Sequence, residues 1–253
     1  MNVYNKYLTF RKLGEIGIIH AFTTRACSNV EDILINEFKL DSGYIFTARQ
    51  VHGDNVHVIS DLQFPICDLE NRSQKIKNRK SKIENHIEAD AIITNIKDLP
   101  IGVFTADCLP IILADTKRRV VGIIHAGRVG TSLEISKKTI ITIKDVFDIS
   151  ANDIIAAIGP GIGGCCYEVD NKSINPFRKN LSYWKEIAIE KSDRKWMLDL
   201  NKANKLQLME SGLKSENIIT SGFCTSCRND NFFSFRKEGR LAGRMISFVG
   251  IKK

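Results

Sequence analysis

The segment PIGVFTADCLPIILADTKRRVVGIIHAGRVG, residues 100–130, holds three short apolar runs rich in branched side chains: Ile101–Phe104, Pro110–Ala114 and Val120–Ile124. Runs of this kind, bounded by polar or turn-forming residues, read as buried strands. Asp115-Thr116-Lys117-Arg118-Arg119 supplies a hairpin turn between the second and third. If Asp115 pairs with Val120, the antiparallel register sets Cys108 opposite Gly127 and diagonal to His125. Diagonal neighbours two residues apart share one face of a sheet, so a thiol and an imidazole meet there. A slip of one residue would send them to opposite faces.

Working outward from the hairpin, Ala89–Thr94 reads as a further strand, with Asp90 and Thr94 as turn or support residues at its ends. Downstream, Thr131 or Ser132 caps a helix carrying Leu133, Ile140, Ile143 and Phe147, and Asn152-Asp153 breaks it before a strand at Ile154–Ile158. A second helix covers Leu200–Ser211 and stops at Gly212. Asn217–Ser221, Phe232–Arg236 and Met245–Ile251 read as strands. Strands recur from end to end with helices inserted, which predicts an α/β (mixed α+β) fold with mixed sheets, as a single domain over residues 1–253. The polar stretch Asp68–Asn85 reads as a surface loop or a solvated short helix.

A chain of 253 residues with 43% hydrophobic content buries a sizeable core. Tyr4, Lys6, Arg11, Lys12 and Glu15 interrupt the apolar stretches near the start, and nowhere do roughly 18 apolar residues run together. A cytoplasmic location without a membrane partner is therefore expected, and a monomer. Seven cysteines without a secretory pattern read as reduced thiols and candidate ligands. The net charge of +8 arises from basic residues scattered among 29 acids, so no nucleic-acid partner is expected.

His52 in Gln50-Val51-His52-Gly53, Cys108 in Thr105-Ala106-Asp107-Cys108 and His125 in Ile124-His125-Ala126-Gly127 stand in three separate motifs. Two imidazoles, one thiolate and an open fourth position make the usual ligand set of a catalytic zinc. Taken singly, each has a structural reading: a bonded histidine, a small buried thiol, a strand-end histidine. Cys224-Thr225-Ser226-Cys227 has zinc-knuckle spacing, but Cys165 and Cys166 are adjacent and so do not form a second matching pair; a structural role is expected. Gly159-Pro160-Gly161-Ile162-Gly163-Gly164 lacks the helix of a dinucleotide-binding turn and reads as a tight loop near the site.

These motifs, with Ala89-Asp90-Ala91, Cys166-Tyr167-Glu168-Val169 and Phe232-Phe233-Ser234-Phe235-Arg236, follow one another in an order that resembles the YfiH-like family, also called the laccase-domain or polyphenol oxidase family. The likeness covers nearly the whole chain. It implies a four-layer α/β/β/α sandwich of mixed sheets and a zinc or copper ion on residues matching His52, Cys108 and His125. It also implies phosphorolysis of purine nucleosides (adenosine, inosine and methylthioadenosine), with adenosine deamination as a further activity. The substrates are then a purine nucleoside and phosphate. Laccase chemistry fits poorly, since five histidines are too few for a blue-copper site plus a trinuclear cluster.

Phosphorolysis requires an orienting or electrophilic centre, donors for phosphate and a proton for the departing base. Asp107 is the first candidate for proton carrier and Glu168 the second, with Cys108 and His125 at the reacting centre. Arg25, Gln50 and Arg236 are the candidate substrate binders, and Arg244 is equally well read as a surface residue. Two departures from the family pattern stand out: His125-Ala126-Gly127-Arg128-Val129-Gly130 where relatives read His-Ala-Gly-Trp-Arg-Gly, and Arg25-Ala26-Cys27 where a glycine pair usually follows the arginine. On an extended segment, Arg128 would face away from the position of the usual arginine. Two other classes stay open. Cys108 and His125 would serve as nucleophile and base in a metal-free hydrolase, a reading linked to relatives named peptidoglycan editing factors, which act on muropeptides. A noncatalytic binding protein would show an exposed apolar patch and no turnover.

Overall fold

In the computed structural model, residues 1–40, 43–60, 87–192 and 194–253 are described; the segment Asp68–Asn85 lies outside them. The first sheet runs in the order β1 (Asn2–Val3), β2 (Tyr7–Thr9), β3 (Ile18–Thr23), β15 (Met245–Ile251), β7 (Ile101–Thr105), β4 (Phe46–Thr47). The second runs β14 (Ile218–Thr220), β10 (Ile154–Ile158), β8 (Leu109–Asp115), β9 (Val121–Ala126), β6 (Ala91–Thr94), β5 (Val56–Ile59). Both are mixed: β4 is parallel to β7, β5 to β6 and β10 to β14, and the remaining pairs are antiparallel. A small third sheet orders β11 (Glu168–Asp170), β13 (Lys195–Leu198) and β12 (Ala188–Ser192).

Period-two alternation explains the layering. Along β8, Leu109, Ile111 and Leu113 face one apolar cluster and Ile112 and Ala114 another. The first cluster lies under the Ile135–Phe147 and Leu200–Glu210 helices, whose Ile140, Ile143 and Leu208 close it. The second is shared between the sheets, with Ile92, Ile112 and Ile123 of the second facing Ile101, Val103 and Val249 of the first. A third joins Tyr7, Ile19, Ala21 and Phe248 to Ile33 and Leu34 of a short helical segment. Helix, sheet, sheet and helix thus stack over three apolar seams, the four-layer arrangement that the family resemblance implies.

Asp115 N–H donates to Val120 O (3.0 Å), and Pro110 pairs with His125, so the expected hairpin register holds. Two sequence-based elements differ. Phe232–Arg236 is not a strand: buried Ser234 caps a short helix, Phe235–Glu238, and Arg236 N–H bonds to the Asp107 carboxylate (2.6 Å) instead of joining a ladder. The helix expected from Thr131 or Ser132 is split into Arg128–Ser132 and Ile135–Phe147 by Glu134 at φ 61°. Neither hydroxyl caps it, because Thr131 Oγ1 takes the Asn204 amide (3.0 Å) and Ser132 Oγ donates to Val129 O (2.8 Å). No described helix is long and apolar enough to cross a membrane.

Ile112, fully buried between the sheets, tests the packing. Ile112→Ala is expected to lower unfolding stability by about 2–5 kcal/mol in urea titration; a loss under about 1 kcal/mol would contradict a shared inter-sheet core.

Candidate metal centre and active site

The site forms where the start of β8, the end of β9 and the start of β6 lie side by side. The β6–β9 register sets Asp90 opposite His125, whose N–H donates to Asp90 O (2.7 Å). Asp90, Cys108 and His125 have the parity of Ile92, Ile112 and Ile123, so all three project from the inter-sheet face, at its open end. His52 arrives from a separate loop, and its backbone at φ 59° is held by Asp90. Successive N–H groups of Val51 (3.2 Å), His52 (3.0 Å) and Gly53 (2.7 Å) donate to the Asp90 oxygens. The same carboxylate meets His125 Nδ1 at 2.7 Å.

One ligand atom each from His52, Cys108 and His125 lies within 4.8 Å of the others. The three residues singled out in the sequence therefore converge. Asp90 occupies Nδ1 of His125 and leaves Nε2 for the cluster, the carboxylate–histidine pairing that orients metal ligands. Gly127 keeps the space open: a Cβ there would stand 3.0 Å from Cys108 Sγ and 3.5 Å from His52 Cδ2. Burial pushes the Cys108 thiol up, but hydrogen bonds to His125 and His52 outweigh it and bring the thiol down to about 6. Burial likewise lowers His125, yet Asp90 and Cys108 raise it to about 9. Asp90 is held below the usual carboxylate range, the cost of burial being outweighed by His125 and the Gly53 and Val51 N–H groups. A thiolate and two imidazoles converging in this way, with an oriented second layer, fit a zinc ion, and also copper.

Around this centre stand residues that the motifs only partly reveal. Burial raises the Tyr167 hydroxyl, with Arg128 and Arg236 opposing the rise and Cys108 adding to it. Arg128 opens a helix instead of lying on an extended strand, so the alternation that would turn it to the opposite face does not apply. Arg236 lies over the Tyr167 ring (5.1 Å) and donates to Glu168 O (3.0 Å). Asp107, at φ 89°, accepts from Thr225 Oγ1 (2.6 Å) and Arg236 N–H (2.6 Å). Glu168 is bound by Lys191 (2.7 Å) and Lys195 (3.7 Å), which hold it in the ionised form. Gln50 uses both ends of its amide on the Phe104 backbone, at 2.8 Å each, and so anchors the His52 loop to the edge of β7. Arg25 pairs with Glu238 (2.6 Å) and stacks on Phe233 (4.6 Å), its buried Nε without a protein partner. Arg244 is exposed ahead of β15. His20, buried, bonds to Phe10 N–H and Ile18 O, and His57 stacks on Phe46; neither joins a ligand cluster.

Fold and centre together define a four-layer α/β protein with a two-histidine, one-cysteine cluster at the open end of its paired sheets. The model of the family described as multi-copper polyphenol oxidoreductase laccase matches residues 23–252, and the chain belongs to that family. It is 36% identical over 229 residues to purine nucleoside phosphorylase YlmD of Bacillus subtilis, covering 82% of each chain. It is 31% identical over 219 residues to adenosine deaminase RL5 from an unknown prokaryotic organism, covering 86% of this chain and 78% of the relative. The crystal structure of a hypothetical protein YfiH from Bacillus licheniformis superposes with a TM-score of 0.82 at 26% identity, over 98% of this chain and 97% of the other.

Two measurements test the centre. Asp90→Asn is expected to weaken zinc binding by about 10–100-fold in competition with a chelator; unchanged affinity would remove Asp90 from the account. In metal-stripped protein, alkylation of Cys108 follows the thiolate, so its rate should rise with pH through a midpoint near 6 and then level off. His125→Ala should move that midpoint up; a midpoint between about 8 and 9 in the parent protein would contradict the pairing.

Proposed function

We propose that the protein phosphorolyses purine nucleosides (adenosine, inosine and methylthioadenosine) at a zinc ion held by His52, Cys108 and His125, with adenosine deamination as a second reaction there. The observation that carries this reading is the convergence of those three ligands. The relatives named purine nucleoside phosphorylase and adenosine deaminase support the substrate class. In phosphorolysis a phosphate oxygen bonds to C1′ of the ribose as the C1′–N9 bond breaks; the base leaves with the electron pair and takes up a proton. Zinc, when bound, supplies a Lewis acid that polarises a substrate heteroatom.

The chain's own groups do the rest. Arg236 sets a guanidinium over the Tyr167 ring and Arg128 opens the helix that follows His125-Ala126-Gly127, two groups suited to phosphate oxygens. Arg25, paired with Glu238 and with a buried Nε that has no protein partner, is a further candidate donor. Asp107 accepts from two neighbouring loops, so we assign it the positioning of Arg236 in place of proton transfer; Glu168, held ionised by two lysines, suits proton donation no better. Gln50 acts by fixing the His52 loop. The low-lying Cys108 thiol beside a protonated His125 also suits a metal-free hydrolase, which would be indifferent to chelators.

Zinc-loaded protein incubated with inosine or adenosine, with and without phosphate, should release free base and ribose 1-phosphate only when phosphate is present. Cys108→Ala should lower the rate at least about 100-fold. No nucleoside consumed by fully loaded protein would overturn the proposal. Asp107→Asn should lower kcat/KM while leaving the shape of the pH–rate profile intact; loss of one limb of the profile would restore Asp107 as the proton carrier.

A further inference from the structure

The sequence-based view of Cys224 and Cys227 as a pair without partners is corrected by the structure. Gly161 N–H donates to Phe223 O (3.3 Å) and Thr225 N–H to Gly161 O (3.0 Å), which joins the loop carrying Cys165 and Cys166 to the loop carrying Cys224 and Cys227. Cys166 N–H (2.9 Å) and Tyr167 N–H (3.1 Å) both bond to Gly163 O, and this tight turn brings the two adjacent thiols together on the Cys227 side. The four sulfurs all lie within 4.8 Å of one another. Cys165 Sγ is 3.8 Å from Cys166 Sγ and 3.6 Å from Cys227 Sγ, and Cys166 Sγ is 3.3 Å from Cys227 Sγ.

Four sulfurs each about 2.3 Å from a tetrahedral zinc lie about 3.8 Å apart, close to these spacings and far beyond the roughly 2.05 Å of a disulfide. The Gly163 N–H donates to Cys224 Sγ (3.2 Å), the kind of backbone bond that stabilises a thiolate ligand. Cys165 and Cys227 are exposed, so an ion has a way in. The four thiols are free, with none joined in a disulfide.

We propose that Cys165, Cys166, Cys224 and Cys227 bind a second zinc ion in a closed tetrathiolate site, separate from the His52–Cys108–His125 centre. Each thiol gives its proton to solvent as it enters the coordination shell. With no position left for water or substrate, the ion acts as a structural clip. What it holds is close to the chemistry. Ile162 N–H bonds to Asp107 O (2.7 Å), Thr225 Oγ1 donates to the Asp107 carboxylate, and Tyr167 follows Cys166 directly. Gly161 lies so near Leu109 that a Cβ would come within 2.4 Å of its Cδ2, so the clipped loops press directly on the start of β8. The clip thereby fixes the strained Asp107 turn that precedes Cys108.

Protein purified under reducing conditions in the presence of zinc, then passed through a desalting column, should carry about two zinc ions per chain by plasma mass spectrometry. His52→Ala and the double variant Cys224→Ser/Cys227→Ser should each carry about one. Because the double variant can fail to fold, His52→Ala is also titrated with cobalt. A saturating band of thiolate-to-cobalt charge transfer at one equivalent, with the ligand-field pattern of tetrahedral sulfur coordination, is the expected result. The proposal is overturned if His52→Ala retains no zinc and gives no such cobalt spectrum, if a folded double variant keeps both ions, or if intact mass shows a disulfide among the four cysteines. Loss of nucleoside turnover in His52→Ala with its remaining zinc intact separates this site from the catalytic one.

Discussion

The carboxylate of Asp90, wholly buried at the end of the inter-sheet core, receives the backbone N–H groups of Val51, His52 and Gly53 and the Nδ1 of His125. An ionised carboxylate out of contact with water is costly unless every oxygen is well satisfied, and these four donors meet that demand. The consequence is geometric. One side chain fixes a loop from outside the second sheet, with His52 in a left-handed conformation, and a ring within that sheet, so that two imidazoles face one thiol. Without Asp90, the Val51–Gly53 amides and His125 Nδ1 would each lose their partner at once. The centre is therefore built on a strand register plus a single charged anchor.

Much of this arrangement is legible in the sequence because the relevant strands are short, branched and bounded by turns. The Asp115–Val120 pairing follows from the hairpin, and it alone is enough to juxtapose Cys108 and His125. Extending the same register to the strand after Ala89 would have set Asp90 opposite His125; instead Asp90 reads as a support residue, without the partner it supports. The rest depends on long-range closure, which local pattern does not carry. Gln50 looks like a substrate binder until both ends of its amide are found on the Phe104 backbone. Phe232–Arg236 alternates as a strand does, but Ser234 caps a helix there because Asp107, far away in sequence, takes the Arg236 N–H. The Cys165-Cys166 pair shows no ligand spacing because its partners come from a loop about sixty residues later.

The family description speaks of copper and laccase chemistry, whereas the ligand set argues for a single ion at the main centre. Among the described residues two of the histidines reach a ligand cluster, while His20 and His57 are engaged in core contacts. Arg236, held over the Tyr167 ring, is a group that an electron-transfer site would not need but an anionic substrate would. The displacement of arginine by one position in His125-Ala126-Gly127-Arg128 falls at the start of a helix, where neighbouring positions differ by about 100° and not by a full reversal.

The central claim is that His52, Cys108 and His125 share one ion. Crystals of protein prepared with zinc, measured on both sides of the zinc absorption edge, test it most directly. An anomalous peak about 2.3 Å from Cys108 Sγ and about 2.0–2.1 Å from a nitrogen of each histidine is the predicted result. A map without density at that point, or with the His52 ring turned away from Cys108, would contradict it.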